Sequence, residues 1–110
     1  MTSKQQLLEA LKENGESSKD LEAIFYQPIV NEELGSWSGA YYGPPIRISN
    51  PDDLPKREFN DDYGALEGNP VIAYTKKYVY ICVQYDGSEW MEAIPRHPEY
   101  VGETIPWPGG

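Results

Sequence analysis

One cysteine and one histidine, Cys82 and His97, are the residue types of a thiol nucleophile and its general base. Such a pair requires an exposed thiol beside the imidazole. Cys82 instead occupies the middle of the apolar segment YVYICVQY, where a cysteine behaves as a small buried hydrophobic residue. His97 stands between Arg96 and Pro98, which is typical of an exposed loop. The sequence therefore predicts no catalytic residue, and an enzyme whose residues converge only in the folded chain is left as a lesser alternative.

Two carboxylates beside an aromatic ring are the elements of a glycosidase site, and Glu89 and Glu92 flank Trp90 in this way. Side chains alternate between the two faces of a strand, so residues three apart point to opposite sides. We therefore do not expect these two carboxylates to act on one substrate.

An acidic segment contains the densest set of oxygen ligands in the chain. Its members are Asp52, Asp53, Glu58, Asp61, Asp62 and Glu67. Calcium is bound by carboxylate and carbonyl oxygens, but the spacing of an EF-hand loop is absent, because Asp61 and Asp62 are adjacent. One cysteine and one histidine also exclude a zinc site of four Cys/His ligands. We predict no metal and no cofactor, with calcium in this segment left as an alternative.

The charge balance restricts the classes of partner. Eighteen acidic residues against nine basic ones give a net charge of −9, which repels nucleic acid and anionic lipid and attracts basic protein surfaces. Solubility alone also accounts for such a charge. The sequence contains neither an apolar run long enough to span a membrane nor a signal-peptide pattern, so we expect a cytoplasmic protein that binds neither nucleic acid nor membrane.

Aromatic residues supply the remaining functional signal, with nine tyrosines and three tryptophans in 110 residues. Tyrosine and tryptophan dominate the binding energy of many protein interfaces, although a small domain also uses them to fill its core. Three aromatic residues lie in a Gly/Pro-rich loop, close in sequence to the acidic segment. The predicted partner-binding residues are Trp37, Tyr41, Tyr42, Asp52, Asp53, Asp61 and Asp62.

The N-terminal segment predicts one or two helices. Ser3 and Gln6 have the spacing of a capping box, and apolar residues at helical spacing predict a first helix over 4–14, ended by Asn14-Gly15. Ser17 or Ser18 is a candidate cap for a second short helix, which must end before Pro28. Its predicted apolar side consists of Leu21, Ile24 and Phe25.

This two-helix pattern, LLEALKENGESSKDLEAIF, resembles the first two helices of a winged helix-turn-helix domain. The resemblance implies a third, basic helix that reads DNA. The segment in that position, NEELGSW, is acidic and is broken by glycine, so DNA binding is only a lesser alternative.

The C-terminal half predicts an antiparallel meander. The predicted strands are Val71–Tyr74, Tyr78–Tyr85 and Ser88–Ile94, with Asp86-Gly87 as a type I′ hairpin turn and shorter strands near 38–42 and 46–49. On the central strand, the aliphatic set Val79, Ile81 and Val83 is the expected core face, and the set containing Tyr78, Tyr80 and Cys82 is the expected outer face. We expect one α+β domain over 1–110, with helices packed on a small antiparallel sheet and an extended tail over 96–110.

These features favour a non-catalytic acidic interaction or inhibitor protein, of an immunity or antagonist type, that binds a basic protein partner. The main alternative is a domain that binds a small ligand or a divalent cation through the face containing Tyr78 and Tyr80 or through the acidic segment.

Overall fold

The computed structural model describes residues 1–31, 41–58, 69–85 and 88–100. Its elements are α1 (Ser3–Glu13), β1 (Leu21–Tyr26), β2 (Ile29–Asn31), β3 (Tyr41–Tyr42), β4 (Ile46–Ile48), β5 (Val71–Thr75), β6 (Tyr78–Tyr85) and β7 (Ser88–Pro95), with single 3-10 turns at Ser18–Asp20, Pro51–Asp53 and Pro98–Tyr100.

One helix packs on an antiparallel sheet, so the predicted α+β class is confirmed. The main sheet has the strand order β4-β1-β5-β6-β7, and β2 pairs with β3 in a separate two-stranded sheet. Helix α1 lies on one face of the main sheet, against the edge strand β7. In the part of the chain that the structure describes, no helix is long and apolar enough to cross a membrane.

The first helix begins one residue earlier than its sequence predicts, because a different capping box starts it. The Thr2 hydroxyl accepts the Gln5 backbone N–H at 3.2 Å, and the Gln5 side-chain oxygen accepts the Thr2 N–H at 2.8 Å. The predicted capping box of Ser3 and Gln6 is therefore wrong. At the other end Gly15 takes a φ of +73°, the left-handed conformation that ends helices.

The predicted second helix is wrong. Ser17 caps a single 3-10 turn, and the following residues form strand β1, which pairs with β4 on one side and β5 on the other. A helix confined between Ser17 and Pro28 has too few turns to be stable alone, whereas a central strand satisfies its backbone groups at both edges. Because the second helix is absent from this position, the structure does not share the helix-turn-helix arrangement that the sequence resembles.

The predicted meander is confirmed. β5 pairs with β6 through Ala73 and Tyr80, and β6 pairs with β7 without interruption from the Tyr78–Pro95 pair to the Tyr85–Ser88 pair. The two turn residues at 86–87 lie outside the described residues. The short strand β4 agrees with the strand predicted near 46–49, and β3 covers the described end of the one predicted near 38–42.

The two faces of the sheet are the reverse of those predicted. Tyr80 is fully buried, and Tyr78 and Cys82 pack against the core, whereas Val79, Ile81 and Val83 lie on the opposite face and are not part of the core cluster. The fully or almost fully buried apolar residues of this core are Leu7, Ala10, Leu11, Ile24, Leu54, Val71, Ala73, Tyr80 and Met91.

The reversal has a polar cause. The Tyr80 hydroxyl donates to Glu16 Oε1 at 2.6 Å, and the Thr75 hydroxyl donates to the same oxygen at 3.0 Å. A phenol can be buried when its hydroxyl has a partner, and Glu16, just beyond the end of α1, provides one. Of the predicted tail over 96–110, residues 98–100 form a 3-10 turn and 101–110 lie outside the described residues.

Candidate functional site

The structure places the predicted acidic residues Asp52 and Asp53 in the 3-10 turn capped by Asn50. Asp52 forms an ion pair with Lys4 at the start of α1. This hydrogen-bonded lysine, aided by the charge of Lys56, lowers the pKa of the Asp52 carboxyl below its usual range. Asp52 is therefore already compensated by a lysine of its own chain, which weakens its attraction for a basic partner.

Of the predicted aromatic contacts, Tyr42 is half-buried on strand β3. Burial raises the pKa of its phenol, and the negative charge of Glu89 adds to the effect. Tyr42 is thus part of a paired strand rather than of an isolated loop. Tyr41 belongs to the same strand, whereas Trp37, Asp61 and Asp62 lie outside the described residues.

The structure gives Cys82 no features of a nucleophile. Burial raises the pKa of its thiol to about 11, and its sulfur accepts the Val71 backbone N–H at 3.4 Å. His97 is exposed beyond the end of β7. The end of β7 at Pro95 pairs with Tyr78, whereas Cys82 pairs with Met91 further back along the strand, so the imidazole and the thiol are not neighbours in the sheet. A thiol with a raised pKa is a poor nucleophile at neutral pH.

The described residues support neither of the two alternative sites, the tyrosine face for a small ligand and the acidic segment for calcium. Tyr80 cannot form an exposed ligand surface because it is buried against the helix. Among residues 1–31, 41–58, 69–85 and 88–100, no three Cys, His, Asp or Glu side chains are grouped to hold a metal ion. Asp61, Asp62 and Glu67 of the acidic segment lie outside these ranges.

A groove between α1 and β7 is acidic. Its volume is about 210 Å³. The acidic groove is lined by Met1, Gln6, Glu9, Ala10, Glu13, Glu89, Trp90 and Met91. Glu9 and Glu13 are exposed on successive turns of α1, and Glu89 on β7 is only 5% exposed. The exposed carboxylates of Glu9 and Glu13 outnumber the single N-terminal ammonium of Met1, and no Lys, Arg or His side chain lines the groove, so it favours a cation.

The outer edge of β7 runs beside this groove. Among the described strands, none pairs with that edge. The Glu89 carbonyl accepts the buried Gln6 side-chain amide at 3.2 Å, so it points away from β6. Backbone groups alternate along a regular strand, and therefore the N–H and C=O of Met91 and Ala93 also point outward. The edge presents a short row of backbone donors and acceptors next to three carboxylates.

A second surface lies on the opposite side of the sheet. The open face consists of Phe25, Ile72, Tyr74, Val79, Ile81, Val83, Trp90 and Ile94. None of these side chains belongs to the core cluster, and Ile72 and Ile94 are 42% and 38% exposed. Arg47 lies over the Phe25 ring at 5.7 Å, and Arg96 lies over the Tyr74 ring at 5.9 Å.

Sequence reasoning missed both surfaces. The near-continuous apolar run of β6 is typical of a strand that is covered on both faces, and this pattern is the signal by which the second apolar surface could have been found. Glu9 and Glu13 share one side of a helix at a spacing of four residues, but Glu89 joins them only through the fold.

Comparisons with protein-family models, with curated proteins and with solved structures give no significant match for this chain. Its function is therefore argued from its own surfaces.

Proposed function

We propose that this protein is a non-catalytic acidic interaction module that binds an extended, basic segment of a partner protein along the β7 edge. The observation that carries this proposal is the position of the β7 edge, which no described strand pairs with, beside the acidic groove. An extended peptide can add to such an edge through main-chain hydrogen bonds, while neighbouring side chains select its sequence.

Charge gives the groove its selectivity. Glu9 and Glu13 are exposed and steer a basic segment during encounter, and Glu89 lies deeper beside the strand. Asp52 and Asp53, the acidic residues predicted from the sequence, have Lys4, Lys56 and Arg57 nearby in space or sequence. The two exposed groove carboxylates, Glu9 and Glu13, are thus the stronger candidates for contact with a basic partner.

The test is a binding titration with a fluorescein-labelled peptide of alternating threonine and lysine, followed by anisotropy. Two variants remove the same charge from two places: Glu9→Gln with Glu13→Gln in the groove, and Asp52→Asn with Asp53→Asn in the 3-10 turn. We expect the groove variant to bind about tenfold more weakly, since two steering carboxylates are lost, and the turn variant to bind like the native protein.

A peptide of alternating threonine and glutamate serves as the control ligand and is expected not to bind. Equal affinity for both peptides would show that charge does not select the ligand. A loss of affinity confined to the turn variant would move the site to Asp52 and Asp53, as the sequence predicted.

A further inference from the structure

A single row of side chains crosses all five strands on the open face. The registers pair Arg47 with Phe25, Phe25 with Ile72, Ile72 with Ile81, and Ile81 with Glu92. The row therefore begins with a cation on one edge strand, continues through three apolar side chains and ends with a carboxylate on the other edge strand.

This row is symmetric about the central strand. Ile72 lies on β5, and Arg47 and Glu92 lie two strands away on either side. A two-fold axis parallel to the strands and above Ile72 exchanges the two edges. It brings Arg47 of one copy over Glu92 of the other, twice, and places Phe25 over Ile81. A symmetric dimer requires a surface that complements itself in this way.

The charged ends of the row are held on the face. The Arg47 guanidinium lies 5.7 Å from the centre of the Phe25 ring, and Glu92 Oε1 accepts the Trp90 indole N–H at 2.6 Å. Two sheets that pack face to face lie about 10 Å apart, a gap that an arginine and a glutamate can bridge together.

The size of the face is sufficient for a weak dimer. Five strands about 4.8 Å apart, of three to eight residues at about 3.3 Å each, form a face of roughly 20 by 20 Å. Two such faces bury on the order of 800 Å², which is small for a specific interface and therefore fits a weak dimer. We expect a dissociation constant in the micromolar range.

We propose that a second copy of this chain packs on the open face, with Arg47 of each copy paired to Glu92 of the other. The resulting dimer is a two-layer sandwich of main sheets with both α1 helices on the outside. This inference does not depend on the proposed partner, because the groove carboxylates and the open face lie on opposite sides of the sheet, and Trp90 at the β7 edge is the one residue named in both surfaces.

The test is sedimentation equilibrium of the native protein and three charge variants: Arg47→Glu, Glu92→Arg and the double exchange. Each single variant places like charges opposite each other, and we expect the dissociation constant to rise at least about tenfold. The double exchange restores opposite charges and is expected to return the constant to within about threefold of the native value.

A matched apolar pair gives a second readout. Ile72→Asn removes the centre of the proposed interface, whereas Ile46→Asn changes an isoleucine of equal exposure, 41% against 42%, on the opposite face. Ile72→Asn is expected to be monomeric and Ile46→Asn to remain dimeric, with unchanged far-ultraviolet circular dichroism in both.

Three outcomes would overturn the proposal. A native protein that stays monomeric at millimolar concentration would assign the face to a different molecule. A double exchange as weak as the single variants would exclude the Arg47–Glu92 pairing. Equal effects of Ile72→Asn and Ile46→Asn would show that the open face is not the interface.

Discussion

Glu16 connects two buried hydroxyls to the end of α1. Its Oε1 accepts from Tyr80 at 2.6 Å and from Thr75 at 3.0 Å, and the backbone N–H of Glu16 donates to the Leu11 carbonyl at 2.8 Å. A carboxylate with two buried hydroxyl donors forms charge-assisted hydrogen bonds, which are stronger than neutral ones. Glu16 thus supplies the polar partner that allows the Tyr80 hydroxyl to be buried, and it links the end of α1 to β5 and β6.

Tyr80→Phe is expected to lower the free energy of unfolding by about 2 kcal/mol at pH 7, because it removes a hydrogen bond to a charged group. Urea unfolding followed by circular dichroism measures this loss. Tyr78→Phe makes the same change on the neighbouring ring and serves as the control, with an expected loss under about 0.5 kcal/mol. Equal losses in the two variants would contradict the role given to Glu16.

The same bond makes stability depend on pH. Burial, with the Glu16 hydrogen bond next, raises the pKa of the Tyr80 phenol above its usual value of 10. The folded state thus keeps this proton to a higher pH than the unfolded chain, so the stabilisation is complete below pH 10 and is lost as the pH rises further. Tyr80→Phe should show a shallower loss of stability above pH 10, and a curve parallel to the native one would refute this.

At the scale of elements, the strength of the local signal decided what the sequence could predict. Helix α1 and the pair of strands β6 and β7 are predicted from patterns within a few positions, and these elements are confirmed, although the cap of α1 and the core face of β6 differ from the prediction. The sequence predicts a helix where the structure has strand β1, because the apolar residues of this segment fit both the spacing of a helix and the alternation of a strand. What makes it a strand is pairing with β4 and β5, which lie about 20 and 50 residues further along the chain.

The candidate surfaces depend on distant pairings in the same way. Both faces of β6 are apolar, so the sequence indicates that each face packs against another part of a protein. It does not indicate which of the two faces α1 covers. The row from Arg47 to Glu92 exists only once four strand registers are set. The acidic groove likewise joins α1 to a residue on the last strand, and no local pattern records this proximity.

Strand β7 offers a direct test of the edge to which the partner is proposed to bind. The Ala93 N–H points away from β6, so Ala93→Pro removes a donor from the edge without breaking the β6–β7 ladder. We expect the variant to fold, as measured by circular dichroism, and to bind the threonine–lysine peptide at least about tenfold more weakly. Ile94 is the matched position: its N–H points toward β6, and Ile94→Pro should destabilise the fold itself. A folded Ala93→Pro variant with native affinity would exclude strand addition at this edge.

At the scale of the whole molecule, the two proposed surfaces differ in how charge acts on them. The net charge of −9 attracts a basic segment to the acidic groove but opposes the approach of a second copy. Self-association is driven by the apolar open face, and its two exposed ion pairs set the orientation while adding little free energy.

Salt should therefore move the two equilibria in opposite directions. The Debye length falls from about 30 Å at 0.01 M salt to about 8 Å at 0.15 M. Most charges on two packed copies are further apart than about 8 Å, so the higher salt concentration screens most of the repulsion between the copies. We expect the dimer to tighten as sodium chloride rises over this range in sedimentation equilibrium, while peptide binding weakens several-fold in anisotropy. Glu9→Gln with Glu13→Gln should flatten the salt dependence of peptide binding and leave the dimer able to form, because these residues lie on the far side of the sheet from the open face. If the dimer instead dissociates with salt in parallel with the peptide, charge rather than apolar burial holds it together, and the sandwich of open faces is wrong.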